Sequence, residues 1–395
     1  MNAATAQFKP FEGVRVLDMS QGLAGPYAAQ MLLMMGATVV KVEPPQGDWG
    51  RVMGLARNGH SALSVIANWG KKGICVDARN EQGREVIKRL VSCSDLVMES
   101  FRPGVMEKLG LGYDVLKSLN PGIVLGSISG FGRSGPHALR AGSDSILQAA
   151  TGMAAMNGTD EGAPRRVGML AVDMITGLYA GYALSAAIHE QRASGVGRHL
   201  DLSLLGASMA FQAMPMVESF LQGGEKRKPV TVPSGNFDAA DGQLSVVCLR
   251  NEMFHALAKA LGHEEWATDP RFADNEARQR NVDTLHDLLA GIFPTQSREY
   301  WINRLNQAGV LCGPVNSYSS LREDAQVEAL RLLADVDHPD FGAFPFPAFP
   351  GAQRAADELP PAPALGQHTV DALRGAGFAE AEIHNLLSSG ACMQA

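Results

Sequence analysis

VRVLDMSQGLAGPYAAQMLLMMGATVVKV, residues 14–42, holds a complete β-α-β pattern. Residues 14–18 form a short β-type run, residues 21–26 are turn chemistry, the apolar stretch up to Met35 is helical, and residues 38–42 form a second β-type run. A strand, a glycine turn, a helix and a strand within about 30 residues imply a parallel crossover, and so a sheet covered by helices. The turn offers backbone amides to a phosphate, yet GLAG lacks the third glycine and the spacing of a dinucleotide fingerprint. Plain turn chemistry explains it as well.

The pattern continues outward. Residues 73–77, 95–98 and 123–128 are β-type runs, and residues 81–91 are helical. The turns 99–104 (ESFRPG) and 129–132 (SGFG) fall at strand ends, where open α/β sheets bind ligands. Residues 47–68 are polar, glycine-bearing and aperiodic, which suggests a long surface loop. Residues 144–156 and 174–192 are helical, Gly195 terminates the second helix, and the methionine-rich residues 200–221 suggest a core or interface helix. The expected organisation is a large domain (1–222), a linker (223–233), a small α+β domain (234–336), a proline-rich return linker (337–363), and a C-terminal part of the large domain (364–395).

A chain of 395 residues exceeds what one hydrophobic core usually supports. With 46% hydrophobic and 19% charged residues it has the composition of a globular enzyme, and its net charge of −7 argues against general nucleic-acid affinity. Five cysteines without CxxC spacing point to neither a disulfide framework nor a zinc knuckle, and favour a reducing compartment. The ten histidines form no HExxH, so no metal site is expected. Residues 1–10 lack the basic start and apolar core of a signal peptide, and the expected location is cytoplasmic, with no membrane partner.

One acid stands out. GMLAVDMITGLYAGYALSAAIHEQRAS, residues 168–194, is an apolar run interrupted by Asp173. An ionised carboxylate there costs several kcal/mol unless hydrogen bonds or a function offset it. Asp173 suits a helix cap or a nucleophile held at a helix start. By length the run also suits a membrane span, although the acid, Gly177 and Gly181 interrupt it and no second such run exists.

Taken together, the motifs resemble the family III CoA-transferases, the group of formyl-CoA and carnitine CoA-transferases, which shares its fold with α-methylacyl-CoA racemase. The resemblance rests on residues 16–18 with 24–26, 36–43 with 47–48, 99–104 with 108–112, 171–173, 195–198 and 364–368, which span nearly the whole chain in order. It implies a large Rossmann-like parallel-sheet domain that binds coenzyme A, a smaller α+β domain, and an interlocked, ring-like homodimer. It also implies that Asp173 is the nucleophile and that Lys71, Lys72, Phe101, Arg102 and Lys108 contact the CoA nucleotide, with Leu23, Gly25, Ser143 and Asp144 as active-site neighbours. Acyl-CoA and a carboxylic acid would be the substrates, with no tightly bound cofactor. Gly25 or the 129–132 turn would supply oxyanion donors.

Pro44 stands where several members carry an arginine, and the glycine-rich lid of formyl-CoA transferase has no clear counterpart. The racemase branch needs a histidine in a Gly-His-Asp turn; here the turn reads Gly142-Ser143-Asp144, and serine is no α-proton base at neutral pH without help. Transferase is therefore the expected activity, racemase or epimerase the alternative, and a non-catalytic CoA-binding protein the alternative of another class. Arg57, Arg140, Arg165 and Arg166 are candidates for holding a second carboxylate, which suggests a small dicarboxylate such as succinate.

Overall fold

Strand β1 (Arg15–Asp18) runs into helix α1 (Ala24–Met34), which returns the chain to β2 (Thr38–Glu43), parallel to β1 with Val16 opposite Val39. The computed structural model describes residues 8–158, 163–223, 230–352 and 355–395. The pattern continues through α2 (Ala62–Asn68), β3 (Lys72–Val76), α3 (Glu81–Ser92), β4 (Leu96–Glu99), α4 (Tyr113–Leu119), β5 (Val124–Ser129), α5 (Asp144–Ala150), α6 (Ala171–Ser194) and β6 (His199–Ser203). These six strands are all parallel, in the order β3-β2-β1-β4-β5-β6. This is the doubly wound Rossmann order, and it reverses direction between β1 and β4. Residues Cys392–Met393 add an antiparallel strand beside β3.

Alternation along the strands feeds two cores. Val16, Val39 and Leu96 face a layer that includes residues of α1 and α6, whereas Leu17, Val42 and Val97 face residues of α3 and the C-terminal helices. Helix α6 is long and apolar enough to cross a membrane, but much of its surface is buried inside the fold. A Cβ on Gly177 would lie 2.8 Å from the Tyr27 ring and 3.0 Å from the Ala24 carbonyl oxygen, and one on Gly181 would lie 3.1 Å from Met31. The two glycines thus bring α6 close to α1. Gly195, at φ +71°, ends α6.

The chain packs as two compact units. The larger combines the chain up to Ala213 with everything from Arg331 onward, and the smaller is Met214–Leu330. The smaller unit has a three-stranded antiparallel sheet of β7 (Ser234–Ala239), β8 (Gly242–Val247) and β9 (Leu311–Pro314), with β8 central. Its core includes Phe254, Phe272, Leu289 and Trp301. Most of the expected linker at 223–233, namely 224–229, lies outside the described residues.

Three stretches differ from their sequence expectations. Residues 337–363 are not simply an extended return, because β10 (Leu333–His338) and β11 (Gly342–Pro347) form a hairpin. Phe344 and Phe346 pack their rings 5.8 and 5.4 Å from Trp69, and the Trp69 indole donates to the Ala356 carbonyl at 2.8 Å. A two-stranded hairpin leaves each strand with a free edge, which accommodates Pro345 and Pro347. Residues 62–68, expected as loop, are helical because Ser61 and Ser64 form a capping box. Residues 200–203 belong to β6, so the helix expected from residue 200 begins at Leu204.

Candidate active site

Three buried ion pairs support the β1 and β2 loops. Lys71 Nζ lies 2.8 Å from Asp18, Lys41 Nζ 2.9 Å from Asp48, and Arg51 2.6 Å from Glu43. Burial pushes the Asp18 carboxyl up, but the Lys71 and Lys41 charges prevail and hold it below its ordinary value. Asp48 also accepts the amides of Gly22 and Gly50, and Lys41 donates to the Ser20 carbonyl. Gly22 has φ +79° and lies against the Trp49 ring, so no side chain fits there. The pairs thereby fix the backbone that carries Gln21, Leu23, Gly25 and Trp49.

Those residues form one wall of a cleft of about 300 Å³ at the C-terminal ends of β1, β4 and β5. Ser100, Phe101, Arg102 and Pro103 line it from the turn after β4, and Ser129 and Gly130 from the end of β5. Ser100 Oγ accepts the Gln21 amide at 2.8 Å, which ties the two loops across the point where strand order reverses. Glu99 holds the turn by accepting the Phe101 amide at 2.7 Å. The remaining wall is residues 138 and 140–143, pinned where a Cβ on Gly130 would meet the Gly142 Cα at 2.9 Å.

Asp173 also lines this cleft, in the first turn of α6. It is not the cap. Helix α6 begins at Ala171, and its first amides, Val172 N at 2.7 Å and Asp173 N at 3.2 Å, donate to Asp144. Asp144 is buried, and its other oxygen accepts from Gln148 at 2.7 Å. The cap reading therefore passes from Asp173 to Asp144, whose carboxylate already occupies the cap position. No hydrogen bond to the Asp173 carboxylate occurs among the described residues. Burial, and secondarily the Asp144 charge, push its pKa up to about 7.

Of the residues singled out from sequence, Asp173, Phe101, Arg102, Leu23, Gly25 and Ser143 meet in this cleft, and Asp144 stands directly behind it. Lys71 does not reach it. Its buried ammonium spends its donors on Asp18, the Pro26 carbonyl and Asn68, so the expected CoA contact is corrected to a structural ion pair. Lys72 and Lys108 are exposed and lie outside the cleft lining. Of the four candidate arginines only Arg140 lines the cleft; Arg57 donates to the Phe341 carbonyl, and Arg165 and Arg166 line a separate hollow with Asp144 and Gln148.

Gln21, Trp49 and Ser100 were not singled out as site residues. Gln21 and Ser100 lie in the turns 21–26 and 99–104, whose strand-end positions are the signal for them, whereas Trp49 has only its place in the 47–68 loop. The His60, His338 and Asp340 side chains cluster elsewhere, but both His338 nitrogens are engaged, by the Ala362 carbonyl and by the amides of Asp340 and Phe341. That leaves no three-ligand set.

A family model described as CoA-transferase family III matches residues 11–369. The chain belongs to CoA-transferase family III. This CoA-transferase is 32% identical to succinyl-CoA:glutarate CoA-transferase of Mus musculus, over 98% of this chain and 91% of that protein. It is 33% identical to succinyl-CoA–D-citramalate CoA-transferase of Chloroflexus aurantiacus, over 91% of this chain and 92% of that protein. Its fold matches the crystal structure of a CAIB/BAIF family protein from Brucella suis with a TM-score of 0.82 and 32% identity, covering 94% of this chain and 100% of that one.

Proposed function

We propose that this CoA-transferase moves CoA between small carboxylic acids, with succinyl-CoA as a donor, through covalent intermediates on Asp173. The observation that carries the reading is a half-buried, cleft-lining carboxylate with no hydrogen-bond partner among the described residues, and burial pushes its pKa up to about 7. Such a group is more nucleophilic than an ordinary aspartate and still substantially ionised at neutral pH.

The Asp173 carboxylate attacks the donor thioester carbonyl, the C–S bond breaks, and CoA thiolate leaves behind a mixed anhydride. The thiolate attacks the aspartyl carbonyl, releasing the donor acid and forming an aspartyl-CoA thioester. The acceptor carboxylate attacks that thioester and expels the thiolate, which then takes the acceptor acyl group and frees Asp173. No water is consumed, and the apolar lining of Leu23, Ala24, Ile128 and Leu204 favours its exclusion. The Ala24 and Gly25 amides open α1 without a side-chain cap, which suits them to stabilise the tetrahedral oxyanions; the Gly132 amide is already bonded to Ser129.

Phe101 and Arg102 serve the CoA nucleotide by stacking and by pairing with phosphate, with Lys72 and Lys108 as outer cations. Among the described residues the lining includes no histidine, so a two-base racemisation lacks its second base there. The reading includes a cytoplasmic location and a homodimer; the exposed Leu178, Tyr179 and Tyr182 on α6 support the homodimer, and light scattering that finds a monomer removes that part. Mass spectrometry after incubation with succinyl-CoA should find an adduct on Asp173. Full exchange activity in Asp173→Asn would sink the assignment.

A further inference from the structure

We propose that Arg140 is a specificity-determining residue that binds the distal carboxylate of a dicarboxylic acyl group while Asp173 reacts at the proximal one. The proposal rests on the Asp173 reading above.

Arginines at this end of the sheet are of two kinds. Arg51 is bonded to Glu43 and to the Pro363 carbonyl, and Arg133 to Glu99 and Glu107, so both are spent on holding the fold. Arg102 and Arg140 are the basic residues of the cleft lining, and neither guanidinium makes an ion pair or hydrogen bond among the described residues. The two substrates offer an anion to each: CoA its phosphates and the acid its carboxylate.

Their positions separate their roles. Arg102 stands on the turn after β4, beside Phe101. Arg140 belongs to the segment that runs through Gly142 and Ser143 into Asp144, whose carboxylate bonds the Asp173 amide at 3.2 Å. Gly142, packed on Gly130, pins that segment to the end of β5. Arg140 is thus borne by the wall attached to the nucleophile, where the acyl group must lie.

Its guanidinium carbon lies 5.2 Å from the centre of the Phe131 ring. That contact steadies the charge without consuming any of the five N–H donors, which remain available for a bidentate carboxylate. The competing pair is less suited. The Arg165 and Arg166 hollow does not include Asp173, and Arg166 already donates to Ser145 at 2.5 Å.

The test is a competition in which succinyl-CoA is the donor and glutarate and pentanoate are offered together, since these acids differ only in the distal carboxylate. The ratio of glutaryl-CoA to pentanoyl-CoA reports acceptor selectivity whatever the rate of the donor step. Wild type should favour glutarate, Arg140→Gln should lower the ratio about 10- to 100-fold with pentanoate still accepted, and Arg140→Lys should restore part of it. An unchanged ratio would overturn the proposal, as would a drop caused by Arg166→Gln instead. So would an equal rise of KM for succinyl-CoA and acetyl-CoA in Arg140→Gln, which would make Arg140 a CoA phosphate contact. The adduct on wild-type Asp173 is read separately: its absence sinks the nucleophile and this proposal together, whereas its presence with unchanged selectivity sinks this proposal alone.

Discussion

Asp18, Lys41, Glu43, Asp48, Arg51 and Lys71 form three ion pairs under the loops, while Asp173, Arg102 and Arg140 line the cleft those loops enclose and bond to no opposite charge among the described residues. The first group is charge used as structure. Taking those ions out of water is costly, and only close, fully bonded partners offset it. The second group is charge without a protein partner among the described residues, which is what the proposed roles in binding and attacking a substrate require. The contrast teaches that a charged residue in a binding motif acquires a ligand role only if the fold leaves it unpaired. Lys71 and Arg102 are both expected from the sequence as CoA contacts, and burial and pairing separate them: Lys71 is buried on Asp18, whereas Arg102 is exposed in the cleft lining.

Breaking the unpaired side should have the largest effect. Asp173→Asn should reduce CoA exchange by at least about 10³-fold, because the proposed covalent route would lose its nucleophile. Its stability should not fall. The folded protein holds the Asp173 proton up to about pH 7, whereas an unfolded aspartate releases it near 3.8. Ionisation therefore lowers wild-type stability progressively across that window, and fully above it. Denaturant unfolding should show the advantage of Asp173→Asn growing from about pH 4 to pH 7; an advantage that shrinks with pH would contradict the raised pKa.

Breaking the structural side should damage folding rather than chemistry. Lys71→Met leaves Asp18 ionised in a dry site and should cost about 3–5 kcal/mol in urea unfolding, while the double variant Asp18→Asn/Lys71→Met should recover most of that loss. A single variant as stable as wild type would show that the pair contributes nothing.

Asp144 sharpens the comparison, since it caps α6 and also repels a charge on Asp173. Asp144→Asn keeps an acceptor for the Val172 amide but removes that repulsion, so the acid limb of the kcat/KM profile, expected near pH 7, should move to lower pH. Burial, the larger cause, stays in place and limits the move. The smallest effect is purely steric. Gly177→Ala puts a methyl against Tyr27 and the Ala24 carbonyl and should cost about 1–3 kcal/mol, measured by thermal or urea unfolding.

Much of this protein was legible in advance because the relevant signals are local. The β-α-β pattern of residues 14–42 rests on hydrophobic period and turn chemistry, and its strands pair as that pattern requires. Asp173 stood out for the same reason, as one acid in an apolar run. The hairpin at 333–347 was hidden because its prolines read as linker composition, while its stability comes from Trp69, far away in sequence. The cap exchange between Asp173 and Asp144 was hidden too: either carboxylate satisfies a helix start, and 29 residues separate the one that does from the amide it accepts.

The sequence by itself determined the parallel sheet, the family and the identity of the one awkward acid, because periodicity and residue type survive in one dimension. Only the tertiary structure decided which charges are paired. Long-range packing places Lys71 on Asp18 and brings Arg140 into the lining of the same cleft as Asp173, and electrostatic roles depend on distances that no spacing in the chain encodes.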